Sequence, residues 1–261
     1  ILLYNALGYE LPIFAHLPMI LGSDKARLSK RHGATSVIAY KAEGYLPHAL
    51  VNYLARLGWS HGDQEIFSME ELVKLFSFDH VGKAAGVFNP EKLLWLNAHY
   101  IKESTDSALA PLLVPFLTEL GVENAGQDTR LEKIVSTLKE RAKTLVEMAE
   151  SAHFYFKDKV EYEEKPRNKF LKAEKLEIFK ELQEKLGSLE TFSVEAIETI
   201  FNELMEKTEL KLGKIAQPVR VALTGGTVSP GIFETIEAMG SEMVMGRLEA
   251  AITYIESLPT E

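Results

Sequence analysis

Beyond about residue 45 the apolar positions recur at three- and four-residue intervals, the pattern of helices with one buried face. Between Leu46 and Leu57, the side chains Leu46, Leu50, Tyr53, Leu54 and Leu57 fall on one face, and Gly58 follows as a C-terminal stop. Ser68-Met69-Glu70-Glu71 has capping-box spacing: the serine oxygen can accept from the third helical N–H while Glu71 reaches back. Asn89-Pro90 reads as a cap followed by proline at the first helical position, where its missing N–H costs nothing. Leu93, Leu94, Trp95 and Leu96 then predict a largely buried helix, and both Trp59 and Trp95 are expected in the core. Further helices are predicted at about 106–120, 129–152, 170–187, 193–208, 212–223, 230–239 and 241–257. Ser229-Pro230 and Ser241 read as starts, and Gly225-Gly226 and Gly240 as stops. Only the first 40 residues read partly extended, at 12–17 and 35–38.

A chain of 261 residues can bury a real core, and the length predicts two or three units. The charged stretch from Lys157 to Asn168, with Pro166 inside it, is the best candidate for a hinge, and a second boundary is expected near Glu103 to Asp106. Hydrophobic residues at 46% and charged residues at 26% are ordinary for a globular protein. With no cysteine, disulfides, thiolate catalysis and cysteine-based zinc sites are excluded. The seven histidines are scattered without ligand spacing, so no metal site is expected; His16 and His61 read as packing or hydrogen-bonding groups. The longest apolar run, Ala108 to Leu117, is too short for a bilayer and carries Pro111 and Pro115, so no membrane partner is expected. The start at Ile1 lacks the basic segment of a signal peptide and reads as a cut within a longer, cytoplasmic chain.

A formal net charge of −9 argues against a generic nucleic-acid binder. Cations nevertheless gather locally, at Lys25, Arg27, Lys30 and Arg31, at Lys139, Arg141 and Lys143, and at Lys165, Arg167, Lys169 and Lys172. Each cluster reads either as a phosphate-facing surface or as a solvated helix face. In the segment from Leu21 to Gly33, Lys30 can supply a point charge, Ser29 a hydroxyl, and the backbone near Gly33 a close approach to a polyphosphate. The glycine spacing is not that of a Walker loop.

Arg27-Leu28-Ser29-Lys30-Arg31 resembles the KMSKS loop of class I aminoacyl-tRNA synthetases, and Leu28 through Gly33 is similar to its version in bacterial-type glutamyl-tRNA synthetases. The resemblance runs through Phe14-Ala15-His16-Leu17-Pro18, Tyr53 to Asp63, Asn89 to Asn97, and Gly213 to Gly225. It implies a mainly α fold. Residues 1–44 would be the residual α/β end of a catalytic domain, 45–104 a stem-contact helical domain, and 105–166 and 167–261 two α-cage anticodon-binding subdomains. It also implies a glutamate–tRNA ligase that makes glutamyl-AMP from glutamate and ATP with Mg2+, then charges the 3′ end of tRNA-Glu. Lys30 would be the catalytic residue, with Arg27, Ser29, Lys30 and Arg31 on the ATP phosphates. Arg27 stands where the pattern has its first lysine.

By the same resemblance Arg141, Gln217, Arg220, Ser229 and Pro230 would receive the anticodon. Arg141, expected on a helix, would read the third base and reject tRNA for glutamine. Gln217 and Arg220, three apart, would share a helix face, and Ser229-Pro230 would open the next helix with free N–H groups. Asn202 stands where some relatives carry an arginine, so that contact has no counterpart here. The carboxy-terminal part is expected to be a monomer that binds tRNA without catalysing and without bound cofactor. The alternative is a non-catalytic helical module for RNA or protein.

Overall fold

Recurrent apolar faces make helix the dominant element. The computed structural model describes residues 1–29 and 36–259, and the chain divides into two units, Ile1–Tyr100 and Ile101–Glu261. In the first unit α1 (Leu2–Leu7) ends at Gly8 in the left-handed region, φ 71°. The strand β1 (Ile20–Leu21) follows, then α2 (Val37–Ala42), α3 (Pro47–Arg56), α4 (Met69–Leu75), β2 (Gly86–Val87) and α5 (Pro90–Glu103), whose last three residues fall beyond Tyr100. The strands β1 and β2 pair in parallel, Ile20 opposite Gly86 and Leu21 opposite Val87.

Leu50, Tyr53, Phe88, Leu93 and Leu96 form one core, with Ile20 and Leu28 packed against it; Trp59, Phe67 and Leu72 form another. Two capped starts hold these helices in place. Ser68 Oγ accepts from Glu71 N at 3.1 Å while Glu71 Oε2 accepts from Ser68 N at 2.8 Å. Asn89 Oδ1 accepts from the amides of Glu91 and Lys92. Asn52 is the polar hub: its Oδ1 accepts from Phe67 N at 2.7 Å and from the Tyr100 hydroxyl at 3.1 Å, and its Nδ2 donates to Glu65 O at 2.8 Å.

The second unit contains α6 (Asp106–Glu119), α7 (Leu131–Leu138), α8 (Leu145–Ala152), α9 (Glu164–Phe170), α10 (Leu176–Gly187), α11 (Val194–Thr208), α12 (Leu212–Thr224), α13 (Ile232–Met239) and α14 (Ser241–Glu256). Its centre is Arg247, 3% exposed, whose Nη1 donates to Leu223 O at 2.5 Å and whose Nη2 donates to Phe154 O at 2.7 Å and Lys157 O at 2.6 Å. Burial first, and then the neighbouring Arg130, push its pKa down to about 10, so it stays charged at neutral pH. No helix among the described residues is long and apolar enough to cross a membrane.

Several expectations are corrected. Val37 and Ile38 open a helix that follows Ser36, and residues 12–17 form no strand. Gly58 is not needed for a left-handed cap, since Leu57 ends α3; a Cβ there would lie 2.8 Å from Pro18 Cγ, so glycine permits a close approach. Leu54 is exposed, and Trp95, at 51% exposed, stacks on His99 at 6.4 Å rather than entering the core. Trp59 is buried as expected, with His61 stacked on it at 6.2 Å.

The helix expected over 129–152 is broken at 139–144, because Thr144 Oγ1 accepts from Glu147 N and Glu147 Oε2 accepts from Lys143 N, which starts a new helix. The stretch 170–187 is likewise divided, with α9 beginning inside the charged segment at Glu164 and a 3-10 turn preceding α10. Residues 157–163 are irregular, pinned by Arg247 at Lys157 O and by the bond from Glu163 N to Gly225 O at 3.0 Å.

Replacing either polar hub orphans buried groups. Asn52→Leu and Arg247→Met are each expected to cost about 2–4 kcal/mol. Urea unfolding followed by the two indoles, both in the first unit, reads the former; amide hydrogen exchange in α12 and α14 reads the latter.

Candidate nucleic-acid interface

The basic loop of the first unit is a tight turn. Gly22 N donates to Ala26 O at 2.8 Å, Lys25 N donates to Gly22 O at 3.0 Å, and Asp24 Oδ1 accepts from Ala26 N at 2.9 Å. Lys25 sits at φ 61°, and Leu28 is tied down through its amide to Ile20 O at 2.9 Å. Anchoring Leu28 in the core leaves Arg27 and Ser29 exposed on either side of it, a donor set suited to a polyphosphate. Lys30 and Arg31 lie outside the described residues.

In the second unit the other predicted residues come together. Arg141 lies in the 139–144 turn, not on a helix, with its amide donating to Leu138 O at 3.0 Å. Its Nη1 donates to Ser229 O at 3.0 Å. Arg220, one turn along α12 from Gln217, donates through Nε to Ser229 Oγ at 2.8 Å, through Nη1 to Gln217 Oε1 at 2.5 Å, and through Nη2 to Pro230 O at 3.5 Å. Gln217 Nε2 donates to Thr227 O at 2.9 Å. Five residues expected to share a surface therefore meet at one loop, residues 227–230. Ser229 and Pro230 do not open α13, which starts at Ile232 after Gly231. Their carbonyls and the serine hydroxyl instead serve as acceptors that hold two guanidinium groups.

Half-buried Arg220 has its pKa pushed down, by burial first and then by the positive charge of Arg141. Two cations this close are tolerated because oxygen acceptors surround them, and together they form a local positive field on an acidic chain. Beside them is a cleft of about 430 Å³ whose lining includes Phe154, Val228, Pro230, Glu147 and Glu150. Sequence reasoning missed Phe154, Val228 and Glu150. No local pattern joins the end of α8 to the loop before α13. The neighbouring cations are less available: Lys139 pairs with Asp106 at 2.8 Å, and Arg167 lies over the Tyr254 ring at 5.7 Å. Asn202 is exposed on α11.

Residues 108–252 match the family described as anticodon binding domain, and the chain belongs to that family. Residues 1–95 match the catalytic domain of tRNA synthetases class I (E and Q). Its relatives are glutamate–tRNA ligases: one from Syntrophobacter fumaroxidans is 56% identical over 256 residues, and one from Geotalea uraniireducens is 57% identical over 255. Each match covers 98% of this chain and 54% of the relative, so the chain spans about half the length of the curated relatives it matches. A solved glutamate tRNA ligase from Elizabethkingia meningosepticum, in complex with its amino acid, superposes with a TM-score of 0.80 at 34% identity, covering 97% of this chain and 54% of that one.

Arg220→Ala removes the fork that joins α12 to the loop. It is expected to accelerate amide exchange at residues 227–231 by about tenfold, the equivalent of a hydrogen-bond loss near 1.4 kcal/mol, while α14 stays protected. Unchanged exchange in the loop would show that other contacts hold it.

Proposed function

We propose that this chain is the tRNA-binding part of a glutamate–tRNA ligase. The parent enzyme would activate glutamate with ATP to glutamyl-AMP and transfer the glutamyl group to the 3′ end of tRNA-Glu. The observation that carries the reading is the convergence of Arg141, Gln217 and Arg220 on residues 227–230. An anticodon loop offers unstacked bases whose edges accept and donate hydrogen bonds, and phosphates that attract arginine. Arg220, fixed by three acceptors, serves as a rigid positive anchor. Exposed Arg141 has guanidinium donors beyond the one given to Ser229 O, and it is assigned to the third anticodon base, C for glutamate and G for glutamine. A positioned arginine distinguishes these bases by donor geometry.

The division into a catalytic remnant at 1–44, a stem-contact domain at 45–104 and anticodon subdomains at 105–166 and 167–261 forms part of the proposal, as do a cytoplasmic location and a monomeric state. In the parent, Arg27, Ser29, Lys30 and Arg31 would hold the ATP phosphates, with Lys30 stabilising the charge that develops there. ATP would bring Mg2+ largely through its own phosphate oxygens. Leu2, Leu3, Ile13, Phe14 and Leu17, within the catalytic match, are exposed, which supports a catalytic region not enclosed by this polypeptide alone. We therefore expect tRNA binding without steady pyrophosphate exchange from the purified chain; sustained exchange would overturn that part.

Binding should select by anticodon. Arg141→Gln is expected to shrink the preference for tRNA-Glu over tRNA-Gln by about tenfold, a change equal to one good base contact. Competition binding with the two transcripts at two salt concentrations measures this. An unchanged ratio would refute the assignment, and affinity indifferent to both anticodons would favour a general helical binding module.

A further inference from the structure

The cleft next to Arg141 contains a group that the reading above does not use. Its lining joins apolar surface from Phe154, Val228 and Pro230 to the polar groups of Arg141, Glu147 and Glu150. Val228 is 83% exposed, an apolar side chain left at the lip with nothing covering it. A volume of about 430 Å³ suits one small planar ligand, near the low end of the range of roughly 300–1,000 Å³ for such sites. Aromatic and apolar lining of this kind receives bases by stacking and contact.

The two carboxylates have different duties. Glu147 is committed to helix capping, since its Oε2 accepts from Lys143 N at 2.9 Å. The carboxylate of Glu150, exposed in the last turn of α8, has no hydrogen bond or ion pair among the described residues. A free carboxylate beside a phosphate-binding arginine would repel the phosphate. Beside a base edge it is an acceptor, and amino groups on bases are what acidic side chains read.

We propose that this cleft is a single-base pocket in which Glu150 determines specificity, accepting from an exocyclic amino group while Arg141 donates to ring acceptors. Cytosine matches that order, with one amino donor followed by two acceptors along its pairing edge. Uracil places a carbonyl oxygen where cytosine has its amino group, and so sets oxygen against the carboxylate. The proposal rests on the anticodon reading and adds to it the acceptor half of the recognition. Arg141, tied to Ser229 O, supplies the donor half from a fixed position.

The test uses anticodon stem–loop RNAs identical except for C, U, G or A at the third anticodon base, with dissociation constants from fluorescence anisotropy at fixed salt. The unsubstituted protein is expected to favour C over U by about tenfold. Glu150→Ala should bring that ratio to within about twofold without weakening the U loop, and Glu150→Lys, which replaces an acceptor with a donor, should reverse it. Thermal unfolding of both variants should match the parent, because the side chain is exposed. If the parent discriminates at the third base and both variants keep its ratio, the role of Glu150 is overturned while the anticodon reading stands. If the parent ignores the third base but responds to changes at the other two, the pocket assignment fails. If it ignores all three positions, the anticodon reading itself fails.

Discussion

Arg247 is a cation buried without a carboxylate partner among the described residues, and the geometry of the helical unit depends on how its charge is accommodated. An isolated buried charge is costly, but three carbonyl oxygens from separated segments share this one. Leu223 lies at the C-terminal end of α12, where the helix dipole is negative, and Phe154 and Lys157 lie just beyond α8. A single guanidinium therefore ties together the ends of the helices that carry Arg220 and Glu150. Arg130 does similar work nearby, bridging Asp128 at 2.7 Å and Met239 O at 2.8 Å. Both arginines act as cross-braces whose directional bonds fix orientation more tightly than apolar packing would.

The same device recurs at the surface with a different result. Arg220 and Arg141 are also held by backbone and hydroxyl oxygens, but they are not sealed in. Acceptors from residues 229 and 230 hold both guanidinium groups, which would lower the conformational entropy lost on binding a ligand there. A chain of net charge −9 thus gathers two arginines at one loop, with Glu147 and Glu150 lining the adjoining cleft. Loop residues 229 and 230 contribute as acceptors that position cations, a role opposite to the N–H donation expected of a helix start.

Much of the architecture was legible locally. Ser68 to Glu71 and Asn89-Pro90 start helices as their spacing requires, because capping depends on side chains three residues apart. Gly225 and Gly240 end helices with positive φ, where a Cβ is disfavoured. The break at 139–144 was also written in the sequence, as Thr144-Leu145-Val146-Glu147, but apolar periodicity running through it hid the cap at Thr144. Trp95 is different: its neighbours Leu93 and Leu96 are buried, and only the position of the packing partners determines which side of α5 meets solvent.

The order and boundaries of most helices were determined by the sequence itself, since caps and periodicity act over a few neighbouring residues. Tertiary structure alone decided that Arg141 and Ser229, eighty-eight positions apart, share a hydrogen bond, and that Glu150, Phe154 and Val228 border one cleft. Such contacts depend on how α8, α12 and the loop before α13 are braced around Arg247, and no short-range rule encodes the relative placement of helices distant in the chain.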